Sequence, residues 1–172
     1  RGKLAQELDR LTGEFYKQLS DGKESVSLRY TSDLHKGSMA ELLDSSYDRD
    51  TVLKYTSVGI QRDDYEFLMN DYPLKKCASQ GQQKSFLISL KLAQLEMMKQ
   101  QRGFSPILLL DDLFDKLDMR RVECLVNMVS QEGFGQLFIT DSNKVRVSEL
   151  VRKIDSQSRL YTVTGGKVAD LV

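Results

Sequence analysis

Ile107-Leu108-Leu109-Leu110-Asp111-Asp112 is the stretch that decides the fold class of this 172-residue chain. Four apolar residues in a row, closed by two acids, are typical of a strand covered on both faces, as strands of parallel sheets are. Ligands of open α/β sheets gather beyond the carboxyl ends of such strands. Two adjacent carboxylates there are costly unless a cation such as hydrated Mg²⁺ neutralises them. The alternative is that Asp112 or Asp115 caps the following helix while Asp111 faces water.

Predicted helices and strands alternate around this strand. Apolar periodicity predicts helices over about 83–99, 120–129 and 145–153, and a strand over 136–139. A terminal hairpin is predicted over 160–171, where Gly165-Gly166 supplies the positive φ of the turn. This alternation implies an α/β domain with a mainly parallel sheet.

The first 50 residues have a different pattern and are predicted to be a segment of a second, helical lobe with a short strand. A helix over 1–19 carries one apolar stripe, for which packing on a neighbouring helix is favoured over a short coiled coil: Leu4, Leu8, Leu11 and Phe15. Because no cap precedes residue 1, we expect the chain to be a fragment. The predicted domains are 1–50 and 51–172.

Shorter elements are predicted between these parts. Residues 26–30 alternate apolar and polar side chains as a half-buried strand does. Residues 39–47 are predicted to be helical, with Ser38 as the cap, and residues 53–60 have a weak strand pattern.

Composition limits the classes of function. The 25 lysines and arginines match the 25 acidic residues, so no overall positive field attracts nucleic acid. Cys77 and Cys124 lie far apart without a C-x-x-C pair and are expected to be reduced thiols, which fits a reducing cytoplasm. No apolar run is long enough to span a membrane and no signal peptide opens the chain. We therefore expect a cytoplasmic protein without a membrane partner.

Two further motifs could carry chemistry. Ser79-Gln80-Gly81-Gln82 stands at the start of a predicted helix, where unpaired amides and the helix dipole favour an anion such as phosphate. The alternative is an ordinary serine N-cap. Asp115-Lys116-Leu117-Asp118 by itself could be a polar turn with Asp118 as a helix cap.

The order of these motifs is more specific than any one of them. A hydroxyl-Gly-Gln element opening a helix, a strand about 25 residues later that ends in two acids, and then x-x-Leu-Asp resemble the head of an ABC-type ATPase, a P-loop NTPase fold. Residues 77–84 resemble the signature motif of the RecF family, residues 107–112 its Walker B motif and residues 115–118 its D-loop. Residues 59–64 are similar to the Gly-Pro-His-Arg-Asp-Asp stretch of that family.

The resemblance implies a role for each position. Asp111 would hold Mg²⁺ and Asp112 would orient or deprotonate the attacking water. Asp115 and Asp118 would be the acids of the D-loop, with Asp118 reaching across a dimer. The γ-phosphate of ATP bound to the opposite subunit would be contacted by the signature residues Ser79, Gln80, Gly81 and Gln82.

Some positions depart from the family pattern. Asp112 stands where most ABC proteins have Glu, and Asp141 takes the switch position that is often His, so we assign Asp141 no catalytic role. Ile60 and Gln61 replace the family's Pro and His. The phosphate-binding loop Gly-x-x-x-x-Gly-Lys-Ser/Thr does not occur, since none of the three Gly-Lys pairs is followed by Ser or Thr. The chain is thus expected to be the C-terminal part of a head and inactive alone.

The implied function is that of a recombinational DNA-repair ATPase. Such a protein dimerises with ATP, binds DNA at single-strand gaps and duplex junctions, acts in replication, recombination and the SOS response, and helps RecO and RecR to load recombinase. Two alternatives stand beside it. One is the head of another chromosome-maintenance ABC ATPase, and the other is a non-catalytic scaffold that binds DNA or protein through Lys75, Lys76 and basic residues of 144–153.

Overall fold

The computed structural model describes residues 1–112, 117–131, 135–153 and 158–171. The elements in chain order are α1 (Gly2–Leu19), β1 (Val26–Thr31), the 3-10 helix η1 (Asp33–His35), α2 (Met39–Leu53), the 3-10 helix η2 (Ile60–Arg62), β2 (Asp64–Met69), β3 (Tyr72–Pro73), α3 (Leu74–Cys77), α4 (Gln80–Arg102), β4 (Leu108–Leu110), α5 (Met119–Gln131), β5 (Leu137–Ile139), α6 (Lys144–Lys153), β6 (Leu160–Thr164) and β7 (Lys167–Leu171).

The strand at the centre of the sequence pattern, β4, pairs in parallel with β5, with Leu109 opposite Phe138. The ladder continues at both ends, where Leu108 N–H donates to the Gln136 carbonyl and Thr140 N–H to the Leu110 carbonyl, each at 2.9 Å. The α/β class is confirmed. The parallel part is smaller than predicted, since the other strand pairs of the described residues are antiparallel.

The two faces of the β4–β5 pair differ, which corrects the expectation that both are covered. Leu108 is buried, and Leu110 and Ile139 pack against the main core. On the other face Leu109 and Phe138 keep 69% and 48% of their surface exposed. The described residues therefore supply one of the two layers that a parallel pair normally has.

Strands β1, β2 and β3 form an antiparallel sheet in that order. Asn70 and Asp71 join β2 to β3 with φ of 47° and 66°, the left-handed backbone that two-residue hairpin turns require. The Asn70 side chain accepts a hydrogen bond from Ser25 N–H at 3.1 Å, just before β1. The same asparagine thus forms the hairpin turn and holds the start of the neighbouring strand.

The predicted strand over 53–60 is wrong. A capping box between Ser38 and Glu41 starts α2 as predicted, and the helix runs on to Leu53. Lys54 then ends it in the left-handed conformation, at φ 59°. Gly59, at φ 114°, and η2 follow, so the backbone of this segment turns repeatedly and cannot extend as a strand.

The main core lies between α1, α4, α5 and the β4–β5 pair. On α1, Leu11 and Phe15 are buried in this core, whereas Leu4 is half exposed. The stripe packs on a neighbouring helix, α4, as predicted. Since α1 also packs on β1 and β1 pairs with β2, contacts cross the proposed boundary at residues 50 and 51. The division into two domains stays a prediction.

The terminal hairpin β6–β7 turns at Gly165 and Gly166, both at positive φ, as predicted. Among the described residues, no helix combines the length and the apolar character that crossing a membrane needs.

Candidate functional site

The acid pair lies at the carboxyl end of β4, and both carboxylates are exposed. The Thr140 hydroxyl, directly after β5, donates a short hydrogen bond to Asp111 Oδ1. Parallel pairing brings these two strand ends to one edge of the sheet, so Asp111 is oriented by the neighbouring strand. Asp112 has φ 51°, which turns the chain sharply at this edge.

Residues 79–82, called the signature turn below, open α4. Ser79 is the N-cap: its Oγ accepts from Gln82 N–H at 3.3 Å, while Ser79 N–H donates to Gln82 Oε1 at 2.7 Å. The ordinary N-cap alternative is therefore correct as local structure. It is compatible with a phosphate contact, because the Ser79 hydroxyl still has its own proton to donate. Ser79 and Gln80 are exposed, so the turn is open to solvent.

Lys84 joins the two motifs. Its Nζ lies 3.4 Å from the backbone carbonyl oxygen of Asp112 and donates to it. Because Lys84 lies in the first turns of α4, this contact places the start of the helix that the signature turn opens next to the end of β4.

Asp118 caps α5, as predicted by the alternative in which residues 115–118 form a polar turn before a helix. Its Oδ1 accepts from Arg121 N–H at 2.9 Å, and its Oδ2 forms an ion pair with the Arg121 guanidinium at 3.5 Å. The Arg121 side chain also donates to Ser85 Oγ on α4 at 2.8 Å. The Asp118 side chain remains exposed, and the preceding Leu117 is buried in the core. Asp115, the other predicted D-loop acid, lies outside the described residues.

Asp141, at the switch position, accepts a hydrogen bond from Asn143 N–H at 2.8 Å. Asn143 Oδ1 in turn accepts from Arg146 N–H in the first turn of α6. Asp141 thus shapes the turn before α6.

The 59–64 stretch builds a structural cluster. Asp63, only 6% exposed at its side chain, accepts from the Tyr30 hydroxyl at 2.5 Å and from the Arg1 guanidinium at 3.0 Å. The hydroxyls of Ser32 and Tyr30, and then Arg1, lower the pKa of the Asp63 carboxyl to about 2 against the opposing effect of burial. In place of the family's His, Gln61 donates to the Val58 carbonyl at 2.7 Å.

Sequence reasoning missed several residues that hold the site. Thr140 could have been found, because it follows a predicted strand at the edge where Asp111 lies. Lys84 follows the signature turn but has no pattern that predicts its contact. Glu24 accepts from the Gln82 side chain across 58 residues of sequence and gives no local signal.

The acid pair has few donor groups for a metal ion. No group of three or more His, Cys, Asp or Glu side chains that could hold a metal lies within the described ranges. Asp111 and Asp112 offer two exposed carboxylates. Magnesium is usually held by one or two carboxylates together with water and substrate phosphates, so this pair fits an ion whose other ligands come from a nucleotide.

No family model matches the sequence. The chain is 43% identical over 159 residues to the DNA replication and repair protein RecF of Azobacteroides pseudotrichonymphae genomovar. CFP2, covering 92% of this chain and 43% of that protein. It is 45% identical over 148 residues to the same protein of Flavobacterium johnsoniae, covering 86% and 41%. The chain therefore spans less than half the length of the curated relatives it matches.

Solved structures agree on the fold. A structure of the recombination mediator protein RecF with ATP in the RecFOR pathway aligns with a TM-score of 0.68 at 24% identity, over 97% of this chain and 44% of that one. A structure from work on ATP-driven dimerisation and DNA-stimulated activation of SMC ATPases aligns with a TM-score of 0.59 at 14% identity, over 99% and 86%. The fold is that of the C-terminal part of an ABC-type ATPase head, as predicted, and the resemblance to the RecF family is confirmed.

Proposed function

We propose that this chain, homologous over nine-tenths of its length to the DNA replication and repair protein RecF, forms the signature, Walker B and D-loop part of an ATP-dependent DNA-repair ATPase. Its acid pair serves the nucleotide held by its own subunit. Its signature turn serves the nucleotide of the opposite subunit, so ATP holds two copies together.

The observation that carries this proposal is that both motifs are exposed and that one contact joins the elements that hold them. Ser79 and the acid pair are solvent-exposed, and the Lys84 contact to the Asp112 carbonyl ties the first turns of α4 to the end of β4. A hydroxyl at a helix N-terminus suits a phosphate, and a carboxylate pair at a strand end suits its magnesium ion. Both groups face outwards, where a partner subunit can reach them.

The proposed chemistry is positioning and electrostatics, which is what phosphoryl transfer needs. Thr140 holds the Asp111 carboxylate in one orientation, and we propose that Asp111 thereby binds magnesium. Magnesium, when bound, neutralises charge on the phosphates. Asp112 follows at the sharp turn with an exposed carboxylate, and in our proposal it orients or deprotonates the attacking water. Because Asp is one methylene shorter than the usual Glu, that water must lie closer to the backbone.

The exposed apolar face of the β4–β5 pair supports the proposal that this chain is part of a larger ATPase head. Leu109 and Phe138 present apolar surface where a parallel sheet usually has a second layer. We propose that the part of the ATPase with the phosphate-binding loop covers this face. The 172-residue chain alone is then expected to bind ATP poorly and not to hydrolyse it.

In the whole protein we propose an ATP-driven dimer that binds DNA at single-strand gaps and duplex junctions and helps RecO and RecR to load recombinase. The names of the similar proteins, DNA replication and repair protein RecF and a mediator in the RecFOR pathway, support this role. The balanced charge of this chain, with 25 basic and 25 acidic residues, favours a DNA surface formed largely by other parts of the protein.

The signature assignment is tested by Ser79→Arg in the full-length protein that contains this chain. The large cation at the exposed cap blocks approach of the opposite nucleotide, while the subunit's own ATP site is untouched. We expect ATP binding to be retained and ATP-driven dimerisation, measured by analytical ultracentrifugation, to be lost.

Ser45→Arg, at an exposed serine of α2, is the matched control and should dimerise normally. Normal dimerisation of the Ser79→Arg protein would refute the assignment of the signature turn.

A further inference from the structure

We propose that Glu24 is a positioning residue for the signature turn, and that it couples helix α1 to the ATP-dependent dimer contact. The coupling rests on the proposed function, whereas the positioning itself does not. Glu24 lies in the segment between α1 and β1, far in sequence from the motif that it touches.

The Glu24 carboxylate receives one hydrogen bond on each oxygen. Gln82 Nε2 donates to Oε1 at 2.7 Å, and the Tyr16 hydroxyl donates to Oε2 at 2.5 Å. Tyr16 is completely buried at the inner face of α1. The carboxylate therefore bridges a buried side chain of α1 and the third residue of α4.

The Gln82 amide is fixed at both of its ends. Its oxygen accepts from Ser79 N–H at 2.7 Å, and its nitrogen donates to Glu24. An ionised carboxylate can only accept and a backbone N–H can only donate, so a flipped amide would lose both bonds. Glu24 thus selects the orientation of Gln82 that completes the capping box with Ser79.

The charge of Glu24 strengthens this selection. Burial acts to raise its pKa, but the hydrogen bonds from Tyr16 and Gln82 and the charges of Arg121 and Lys23 lower it below the ordinary value. Burial and the bond to Glu24 raise the pKa of the Tyr16 hydroxyl, which stays a donor. Hydrogen bonds to an ionised acceptor are stronger than those between neutral groups.

The same network includes the start of α5. Arg121, whose charge acts on Glu24, donates to Ser85 Oγ one turn along α4 and pairs with Asp118. A cavity of about 170 Å³ lies among these side chains and is lined by Glu24, Asp118 and Arg121 together with Leu19, Asp21 and Arg120. A displacement of α1 would therefore act on the signature turn and the Asp118 cap together.

The first experiment measures positioning in the 172-residue chain, independently of ATP. Residue-resolved amide hydrogen exchange is compared for Glu24→Ala and for Glu14→Ala, a control at an exposed carboxylate of α1. We expect exchange at Ser79 and Gln82 to be about fivefold faster in Glu24→Ala, the effect of weakening an N-terminal cap, and unchanged in the control. Unchanged exchange in Glu24→Ala would overturn the proposal.

The second experiment measures coupling in the full-length protein. For Glu24→Ala we expect the dimer dissociation constant at saturating ATP to rise about fivefold, again the effect of a weakened cap, while the affinity of the monomer for ATP is unchanged. Glu24→Gln keeps one oxygen that can accept from Gln82 but loses the charge, so it should restore part of the dimerisation. Equal weakening by both variants, with an equal loss of thermal stability, would make Glu24 merely structural and contradict the proposal.

Ser79→Arg separates the two hypotheses. If it abolishes dimerisation but Glu24→Ala leaves it unchanged, the coupling is wrong and the proposed function stands. If Ser79→Arg has no effect, the proposed function fails and the coupling fails with it, whereas the exchange result still decides whether Glu24 positions the turn.

Discussion

The antiparallel sheet and the parallel strand pair differ in how many of their polar and apolar groups have partners within the chain. In the antiparallel part, turns, caps and charges find partners nearby: Asn70 holds Ser25, and Asp63 is held by Tyr30 and Arg1. The β4–β5 pair leaves one apolar face and the carboxylates of Asp111 and Asp112 exposed. One region is built for stability within the chain. The other has exposed surfaces to which our proposal assigns a nucleotide, a metal ion and a further part of the protein.

The sharpest test of this contrast places the same change in each region. In the full-length protein, Asp112→Asn removes the proposed water-orienting carboxylate, whereas Asp71→Asn changes an exposed acid in the β2–β3 turn. We expect Asp112→Asn to lower magnesium-dependent ATP turnover by about 10²–10⁴-fold, the range for loss of a general base, and Asp71→Asn to leave it unchanged. Turnover is measured by phosphate release.

The 172-residue chain serves as the blank in that assay, since it has no phosphate-binding loop. Turnover by the 172-residue chain that disappears on Asp112→Ala would contradict the division of labour proposed for the two halves of the head. Equal effects of the two asparagine variants would show that the acid pair has no special role.

Packing provides the next comparison. Leu92 on α4 is 1% exposed in the main core, whereas Leu109 on β4 is 69% exposed. Leu92→Ala should lower the free energy of unfolding of the 172-residue chain by about 2–5 kcal/mol, through lost burial and a cavity. Leu109→Ala should change it by less than about 0.5 kcal/mol. Urea denaturation followed by circular dichroism measures both.

In the full-length protein, the difference in destabilisation between these two alanine substitutions should become smaller. If a further part of the full-length protein covers the exposed face, Leu109→Ala becomes clearly destabilising there, by about 2 kcal/mol or more. A Leu109→Ala effect that stays negligible in the full-length protein would show that this face is not an internal one.

Local sequence patterns predicted where the two candidate motifs lie, and the errors of these predictions have physical causes. The apolar run with two acids located the end of β4, and Ser79 was found as the residue that opens α4. The strand expected over 53–60 was wrong, because a weak apolar alternation cannot reveal that Lys54 and Gly59 adopt positive φ. The roles assigned to Asp111 and Asp112 stay predictions.

Long-range contacts were not predictable in the same way. The bond from Thr140 to Asp111 depends on which strands pair, and the bond from Gln82 to Glu24 depends on how α1 packs against α4. At the level of sequence, neither position nor residue type distinguishes Glu24 from the neighbouring acidic residues. The residues that hold the site residues in place, such as Thr140 and Glu24, could therefore be identified only from the three-dimensional structure.

The smallest expected effect concerns Asp63, whose Oδ2 accepts hydrogen bonds from Tyr30 and Arg1. The pKa of Asp63 is about 2 in the folded chain, lowered by Ser32, Tyr30 and Arg1, and about 3.9 in an unfolded one. A lowered pKa means that the folded state binds the proton more weakly, so the contribution of Asp63 to stability is present above about pH 4 and is lost as the pH falls towards 2. Asp63→Asn should therefore lower stability at neutral pH and flatten its dependence between those values, measured by thermal unfolding. Asp48→Asn, at an exposed site of α2, is the control and should leave the slope unchanged. An unaltered slope in Asp63→Asn would mean that Tyr30 and Arg1 do not stabilise the Asp63 carboxylate as the structure indicates. The contrast between the two regions would then rest on packing alone.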